Sequence, residues 1–191
     1  MKLVIFNSFQ QAMPKWYEFQ KFALLYGFQS YEWLSMWYST IGKSEKIKPF
    51  IVFIYDDYSK LIMILPLGIR EKNGIKILTW LGGDITDYHA PLIAHNFNDN
   101  LSKDKFLELW IKIKNILPKF DFVHFQKQPS QIMGKENPFM MLGGPQHQIS
   151  YHLCLKGDWE NYYHNKVKRK LRYDSKRCFK RLNELSKVKF I

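Results

Sequence analysis

The sequence predicts an α/β protein in which helices flank a mixed β-sheet. Two apolar runs, residues 50–55 and 61–67, are separated by turn-forming residues, a pattern typical of a β-hairpin. Residues 103–117 place apolar side chains at helical spacing, and another strand-like run follows at 122–126. Because a helix lies between strands along the chain, the α/β class is favoured over all-α and all-β folds.

The composition indicates one folded chain and excludes several other classes of protein. Of its 191 residues, 46% are hydrophobic and 17% aromatic, whereas disordered chains have low hydrophobicity. The two cysteines, Cys154 and Cys178, are too few for a disulfide scaffold. The longest apolar run, residues 61–67, is far shorter than the roughly 18 residues of a membrane span. The apolar residues 3–6 are too few for a signal peptide. We therefore expect a cytoplasmic protein.

The N-terminal part is predicted to form a strand followed by two helices. Residues 3–6 are the strand, and the first helix has Pro14 in its first turn and Gly27 just after its end. Ser30 is placed to cap the second helix, which ends at Gly42.

The middle of the chain is predicted to be a meander of strands that leads into a helix. An Asn-Gly pair at residues 73–74 joins the hairpin to a third strand at 75–81, and a fourth strand follows at 90–94. Ser102 can cap the next helix and Pro118 ends it. The apolar face of that helix consists of Phe106, Leu109, Trp110, Ile113 and Leu117.

The C-terminal part is predicted to be irregular at first and then helical. Residues 129–145 contain glycines and prolines and one short helix, and a strand follows at 148–155. Asp158 caps a short helix, a longer one runs over 166–186, and 188–191 resemble the start of another strand. We therefore divide the chain into a domain of residues 1–155 and a basic helical segment of residues 156–191.

The formal charge of +12 is concentrated in the C-terminal segment. Residues 156–191 contain 12 basic and 4 acidic residues, whereas the first 155 contain 17 and 13. On the predicted helix, apolar residues form one stripe and basic residues a wide opposite face. The candidate anion-binding residues are Lys168, Arg169, Lys170, Arg172 and Arg177.

Two interpretations of this basic face remain open. It can attract the phosphates of nucleic acid or the headgroups of an anionic membrane surface. Alternatively, the helix packs its apolar stripe on the sheet and the basic residues are simply solvated.

A second candidate site directly follows the third strand of the meander. Gly82 and Gly83 let the backbone approach a ligand closely, and Asp87, Tyr88 and His89 supply a carboxylate, a phenol and an imidazole. We expect Gly82, Gly83, Asp87 and Tyr88 to bind substrate, with Asp87 and His89 as candidate catalytic bases. The alternative is a structural turn capped by aspartate side chains.

Metal binding is not predicted. The six histidines include no H-x-x-x-H pair, and none has a cysteine partner at ligand spacing. The nearest approach to a glycine-rich phosphate loop, residues 131–136, lacks the final small residue of that pattern.

Five segments occur in a characteristic order along the chain. They are FQSYEWL at 28–34 followed by Trp37, LIMILPLGIR at 61–70, LGGDITDYHAPL at 81–92, GDWE at 157–160 and KRKLR at 168–172. Together they resemble the CelD-like (also called BioF-like) acetyltransferases. This family is a branch of the GNAT superfamily related to the FemAB aminoacyltransferases.

The resemblance implies a GNAT-like acyl-CoA N-acyltransferase fold that is one half of a duplicated arrangement. It implies transfer of an acyl group from acyl-CoA, such as acetyl-CoA, to an amine-bearing small molecule or sugar in polysaccharide or cell-envelope synthesis. It places the acyl-CoA site in the second half, which would begin near Ile191. We therefore expect the N-terminal part of a truncated or split enzyme, with a separately encoded second GNAT half as partner. The alternatives are a non-catalytic basic module and a remnant with no independent role.

Overall fold

The chain forms two compact units, Met1–Gln148 and Ile149–Ile191. A computed structural model describes residues 1–97, 101–144 and 156–186. The predicted strands at 148–155 and 188–191 lie outside these residues. Among the described helices, none has the length and apolar content that crossing a bilayer would require.

The described part of the first unit alternates strands and helices. The strands are β1 Lys2–Phe6, β2 Ala23–Leu24, β3 Lys48–Tyr55, β4 Leu61–Lys72, β5 Ile75–Trp80, β6 Leu92–Ala94, β7 Phe122–His124, β8 Gln131–Ile132 and β9 Lys135–Glu136. The α-helices are α1 Phe9–Gln20, α2 Tyr31–Trp37 and α3 Lys103–Ile116. Shorter 3₁₀ turns cover Gly27–Gln29, Gly83–Ile85 and Pro138–Leu142, and a π-turn at Tyr38–Gly42 extends α2.

The main sheet is mixed, which confirms the predicted α/β class. Its strand order is β1-β3-β4-β5-β7, and β6 pairs with both β4 and β2. The pairs β1–β3, β3–β4 and β4–β5 are antiparallel, whereas β5 and β7 are parallel with α3 between them in the chain. The strands β8 and β9 form a separate two-stranded sheet.

Both faces of the sheet are covered by helices. Ile51 and Phe53 of β3 face the cluster that contains Trp16 of α1 and Leu34 of α2. The alternate residues of the same strand belong to the cluster beneath α3. Burial on both faces explains why β3 and β4 are continuous apolar runs rather than alternating patterns.

The first helix differs from its prediction. It begins at Phe9, after Ser8, whose hydroxyl accepts a hydrogen bond from the Gln11 amide at 3.3 Å. Pro14 therefore lies inside the helix, on its exposed side. The helix also ends earlier, because Ala23 and Leu24 form a strand that pairs with β6.

Several local predictions are confirmed. Ser30 caps α2 through the Trp33 amide, and Ser102 caps α3 through the Lys105 amide. All five residues of the predicted apolar face of the third helix are buried. The residue pair 73–74 has φ angles of 53° and 78°, as expected of a two-residue hairpin turn.

The described part of the second unit contains two helices, α4 Trp159–Asn165 and α5 Arg169–Leu185. Asp158 caps α4 as predicted, accepting a hydrogen bond from the Asn161 amide at 2.7 Å. The longer helix starts three residues later than predicted, because Lys166 ends α4 by donating its backbone N–H to the Tyr162 carbonyl. Within the described residues, α5 has no buried side chain.

Candidate functional site

The candidate site lies where the two parallel strands end. Strands β5 and β7 run in the same direction, so the segments that follow them leave the sheet at the same edge. In open α/β sheets, ligands bind outside the carboxyl ends of parallel strands. The segment after β5, residues 81–89, is called the glycine loop below, and it meets the segment that follows β7.

Hydrogen bonds join these two segments. The Gln126 side-chain amide donates to Asp84 Oδ1 at 3.1 Å, and Lys127 Nζ donates to the Asp84 carbonyl at 2.6 Å. The His89 backbone N–H donates to the Lys127 carbonyl at 3.0 Å. The segment after β7 therefore holds the glycine loop at its middle, through Asp84, and at its C-terminal end, through His89.

Both glycines of the loop are required by its backbone. Gly82 has a φ of 118° and Gly83 a φ of 57°, a region that residues with a Cβ rarely adopt. A Cβ on Gly82 would lie 2.4 Å from Thr86 Oγ1, and one on Gly83 would lie 3.1 Å from the Trp37 ring. The loop can pack this closely only because neither residue has a side chain.

Buried polar side chains hold the loop in place. Of the four buried polar residues in the described chain, Gln29, Thr86 and His89 all bind within this region. Thr86 Oγ1 donates to the Gly82 carbonyl at 3.0 Å and accepts from Trp33 Nε1 at 3.1 Å. The Gln29 side-chain amide donates to the Tyr88 carbonyl. Because a buried polar group is costly unless it is hydrogen-bonded, these contacts restrict the loop to one conformation.

His89 is enclosed beneath the loop, with only 3% of its surface exposed. Its Nδ1 lies 3.1 Å from the Gln126 carbonyl, which can only accept, so Nδ1 carries the proton. Nε2 is therefore an acceptor, and it has no hydrogen-bond partner among the described residues. Burial lowers the pKa of His89 to about 4, although the Gln126 carbonyl acts in the opposite direction. The imidazole is thus neutral at physiological pH.

A pocket of about 210 Å³ opens beside the glycine loop. We call it the Arg70 pocket. The end of α2 and the turn after it contribute one wall, β4 and β5 a second, and the segments after β5 and β7 a third. These walls include Trp37, Ile41, Glu45, Ile47, Arg70, Thr79, Trp80, Gly83, Asp84, Ile85 and Gln126.

The pocket contains charges of both signs that do not neutralise one another. Arg70 is half-buried, and among the described residues it makes no ion pair and its buried Nε has no hydrogen-bond partner. Glu45 and Asp84 are exposed, and neither forms an ion pair within the same residues. Charged and polar groups that converge on a partly apolar pocket are characteristic of a binding site.

The structure separates the residues predicted for this site. Gly83 lines the Arg70 pocket, whereas Gly82 is buried behind it. Asp87 is exposed, and Tyr88 packs against Tyr26 with ring centroids 5.0 Å apart. Like the buried His89, neither is among the residues that line the pocket. The roles predicted for Asp87, Tyr88 and His89 stay predictions.

Several pocket residues are not part of the sequence-based prediction. Arg70 has a detectable signal, because it is the one arginine outside the C-terminal segment and directly follows an apolar strand. Trp37 follows the first segment of the family resemblance, whereas Glu45 and Gln126 have no such signal. They reach the pocket only through the packing of α2 and the return of the chain to β7.

The predicted anion-binding residues lie at the start and on the sides of α5. Arg172 donates to the Tyr163 carbonyl at 3.2 Å and to the His164 carbonyl, so its guanidinium caps the end of α4. Arg177 pairs with Asp174 at 3.2 Å. The remaining three, Lys168, Arg169 and Lys170, are exposed.

The residues that most resemble a phosphate loop have a different structure. Residues 131–136 form the β8–β9 hairpin, with Met133 and Gly134 in its turn. A pyrophosphate site needs backbone amides at the start of a helix, and this hairpin does not provide them. Elsewhere in the described chain, no three histidine, cysteine or carboxylate side chains are grouped to hold a metal ion.

The chain matches no family model, no curated protein and no solved structure.

Substitution of Gly82 by Ala tests how tightly the glycine loop is packed. A Cβ there would overlap Thr86 Oγ1, so we expect a loss of about 2–4 kcal/mol in the free energy of unfolding, combining backbone strain with overpacking. Gly134→Ala is the matched control, because Gly134 also has a positive φ but its Cβ would meet nothing within 4 Å. It should lose only about 1–2 kcal/mol. Equal losses in urea unfolding would contradict the described packing.

Replacement of His89 by Gln tests the burial of its neutral imidazole. An unfolded histidine has a pKa of 6.5, and the folded group one of about 4. As the pH falls, the unfolded state therefore binds a proton before the folded state does. The contribution of the neutral imidazole to the free energy of unfolding is fully present above pH 6.5 and is lost as the pH falls towards 4. We expect a loss of about 2 kcal/mol between about pH 7.5 and pH 5 in the wild type.

This pH-dependent component should be absent from His89→Gln, as measured by urea unfolding at several pH values. His95→Gln is the control, because His95 is exposed and its replacement should leave the wild-type pH dependence unchanged. If the wild type and His89→Gln lost stability in parallel, His89 would not be buried as a neutral group.

Proposed function

We propose that the chain forms the acceptor-binding part of a CelD-like, GNAT-type acyltransferase that acts in the cytoplasm. The reaction would transfer an acyl group from acyl-CoA to an amine in polysaccharide or cell-envelope synthesis. One observation carries the proposal. Three of the segments that resemble the family contribute to the walls of the same pocket. They do so through Trp37 after segment 28–34, Arg70 at the end of segment 61–70 and Gly83 in segment 81–92.

The mixed sheet flanked by helices is also the kind of fold that the resemblance implies. The pocket lies at the carboxyl ends of the parallel strands, which is a common place for ligands in such sheets. These segments are distant in sequence, so their meeting at one pocket does not follow from their order along the chain. Their convergence supports a shared role in binding a substrate.

The residues of this chain can hold and orient an amine acceptor. The Glu45 and Asp84 carboxylates attract an ammonium group, and the apolar parts of the pocket accommodate a carbon skeleton. Attack on a thioester requires that the amine first lose a proton to a base. Of the two candidate bases, Asp87 is exposed but does not line the pocket, whereas His89 is enclosed beneath the loop.

The acyl-CoA site is proposed to lie in a second GNAT half, on the same or a separate polypeptide. The closest candidate segment for the pyrophosphate of acyl-CoA does not fit it, because residues 131–136 form the β8–β9 hairpin rather than the start of a helix. The second half would therefore supply the backbone amides that hold the pyrophosphate.

An acyl-transfer assay with both halves tests the proposed function. The downstream coding sequence identifies the second half, and release of free CoA from acetyl-CoA is then followed with a panel of amines. We expect transfer only when both halves are present. Asp84→Asn should raise the acceptor KM about tenfold, because a charged hydrogen bond or ion pair is lost.

Asp104→Asn is the matched control, because Asp104 is an exposed carboxylate on α3 that does not line the pocket. It should leave the acceptor KM unchanged. Absence of acyl transfer to every amine when the two halves are combined would overturn the proposal. So would an unchanged KM in the Asp84 variant.

A second candidate function is supported by the surface of α5, which we propose to bind an anionic membrane surface. Its apolar stripe is exposed, with 62% of Leu171, 51% of Leu182 and 85% of Leu185 accessible. Most of the residues on the opposite side of the helix are basic. Nucleic acid would require only the basic residues, whereas an amphipathic helix at a membrane uses both faces.

Vesicle binding by the full chain tests this second candidate. We expect binding to vesicles of phosphatidylcholine with roughly one-third phosphatidylserine, weaker binding at high salt, and none to phosphatidylcholine alone. Phe179→Ser should weaken binding about tenfold, since it removes an exposed apolar side chain from α5. Phe22→Ser, in the first unit, is the control. Binding to DNA or RNA but not to vesicles would contradict the proposal.

A further inference from the structure

We infer that the Arg70 pocket selects an amine that also carries an acidic group, so its ligand is a small zwitterion such as an amino acid or an acidic amino sugar. The inference rests on the proposed function, because it names the class of acceptor. It depends on the positions of three charged side chains, Arg70, Glu45 and Asp84.

Arg70 provides a site for an anion. It is the tenth residue of β4, directly after a run of buried residues, and its guanidinium is partly withdrawn from water. Its Nε is buried without a hydrogen-bond partner in the described chain, which is unfavourable for a donor. Because Arg70 lines the pocket and is only half-buried, a carboxylate or phosphate bound there can accept hydrogen bonds from the accessible part of its guanidinium.

Glu45 and Asp84 provide a site for a cation on other walls of the same pocket. Glu45 follows the π-turn that extends α2, and Asp84 belongs to the glycine loop. Both are exposed, so an approaching ammonium group can reach them without prior movement of the chain. Asp84 is oriented by its hydrogen bond from Gln126.

Neither carboxylate pairs with Arg70 within the described residues. The pocket therefore keeps a separated positive and negative site. A ligand with only one charge would satisfy one site and leave the other uncompensated. A ligand with an amine and an acidic group would match both.

The size of the pocket limits the ligand to a small molecule. Its volume of about 210 Å³ is far larger than one water requires and smaller than most pockets for drug-sized ligands. Trp37, Ile47 and Trp80 also line it, so an aliphatic chain or a sugar ring can pack against apolar side chains there.

Binding to the full chain can be measured without any acyl transfer. Trp37 and Trp80 line the pocket, so tryptophan fluorescence reports its occupation, and calorimetry gives an independent affinity. The zwitterionic probes are 4-aminobutyrate and glucosamine 6-phosphate. Butyrate, butylamine, glucose 6-phosphate and glucosamine are the matched probes with a single charge. We expect at least one zwitterion to bind about tenfold more tightly than both of its single-charge analogues.

Variants assign each charge to its part of the ligand. Arg70→Gln should reduce zwitterion affinity to that of the amine alone, and Glu45→Gln should weaken amine binding. Lys72→Gln and Glu71→Gln are the controls, because these neighbours on β4 are exposed and do not line the pocket. Arg70→Lys keeps the charge but not the paired hydrogen bonds, and should bind with intermediate affinity. Unfolding free energies establish that each variant is folded.

If neither zwitterion bound more tightly than its single-charge analogues, the inference would be overturned, as it would be by unchanged affinity in folded Arg70→Gln. Failure of the proposed function gives a different result. Selective binding of zwitterions without acyl transfer by the combined halves would contradict the acyltransferase and leave the inference standing. Efficient acyl transfer to amines that lack an acidic group would support the acyltransferase and contradict the inference.

Discussion

Residues 77–79 of β5 pair in parallel with residues 122–124 of β7, while the other pairings of the main sheet are antiparallel. A parallel pair requires a long connection, which here includes the glycine loop, β6 and α3. Because the two strands point the same way, the segments after them emerge together. The contacts between the glycine loop and residues 126–127, and one wall of the Arg70 pocket, depend on this arrangement.

Buried hydrogen bonds then decide the shape of the loop. Thr86 connects the loop to itself and to α2, and His89 connects it to the segment after β7. Such groups are retained only where their partners are in place, since an unpaired polar group in the core is costly. These contacts restrict the loop to one conformation, while the guanidinium in the neighbouring pocket forms no ion pair among the residues that the structure describes. A pre-formed site of this kind loses little entropy when a ligand binds.

Much of the fold could be predicted because its signals are local. Ser30, Ser102 and Asp158 cap helices through residues only three positions away, and the hairpin turn at 73–74 needs only its own two residues. The limits of the first helix, but not its presence, were predicted wrongly. Pro14 favours a helix start, whereas the Ser8 cap and the pairing of β2 with β6 decide the true ends. That strand pairing joins residues far apart in the sequence, so no local pattern reveals it.

The sequence by itself determined the order of the elements, the caps, the apolar faces and the segment around Gly82 and Gly83 where a site was expected. Those properties depend on spacing and on neighbouring residues. Only the tertiary structure decided which side chains surround the pocket. Arg70 lies opposite Ile77 on the adjacent antiparallel strand β5, which leads into Gly83, and Gln126 lines the same pocket because β7 returns in parallel. Contacts of this kind arise from long-range strand pairing and helix packing, which the order of residues does not express directly.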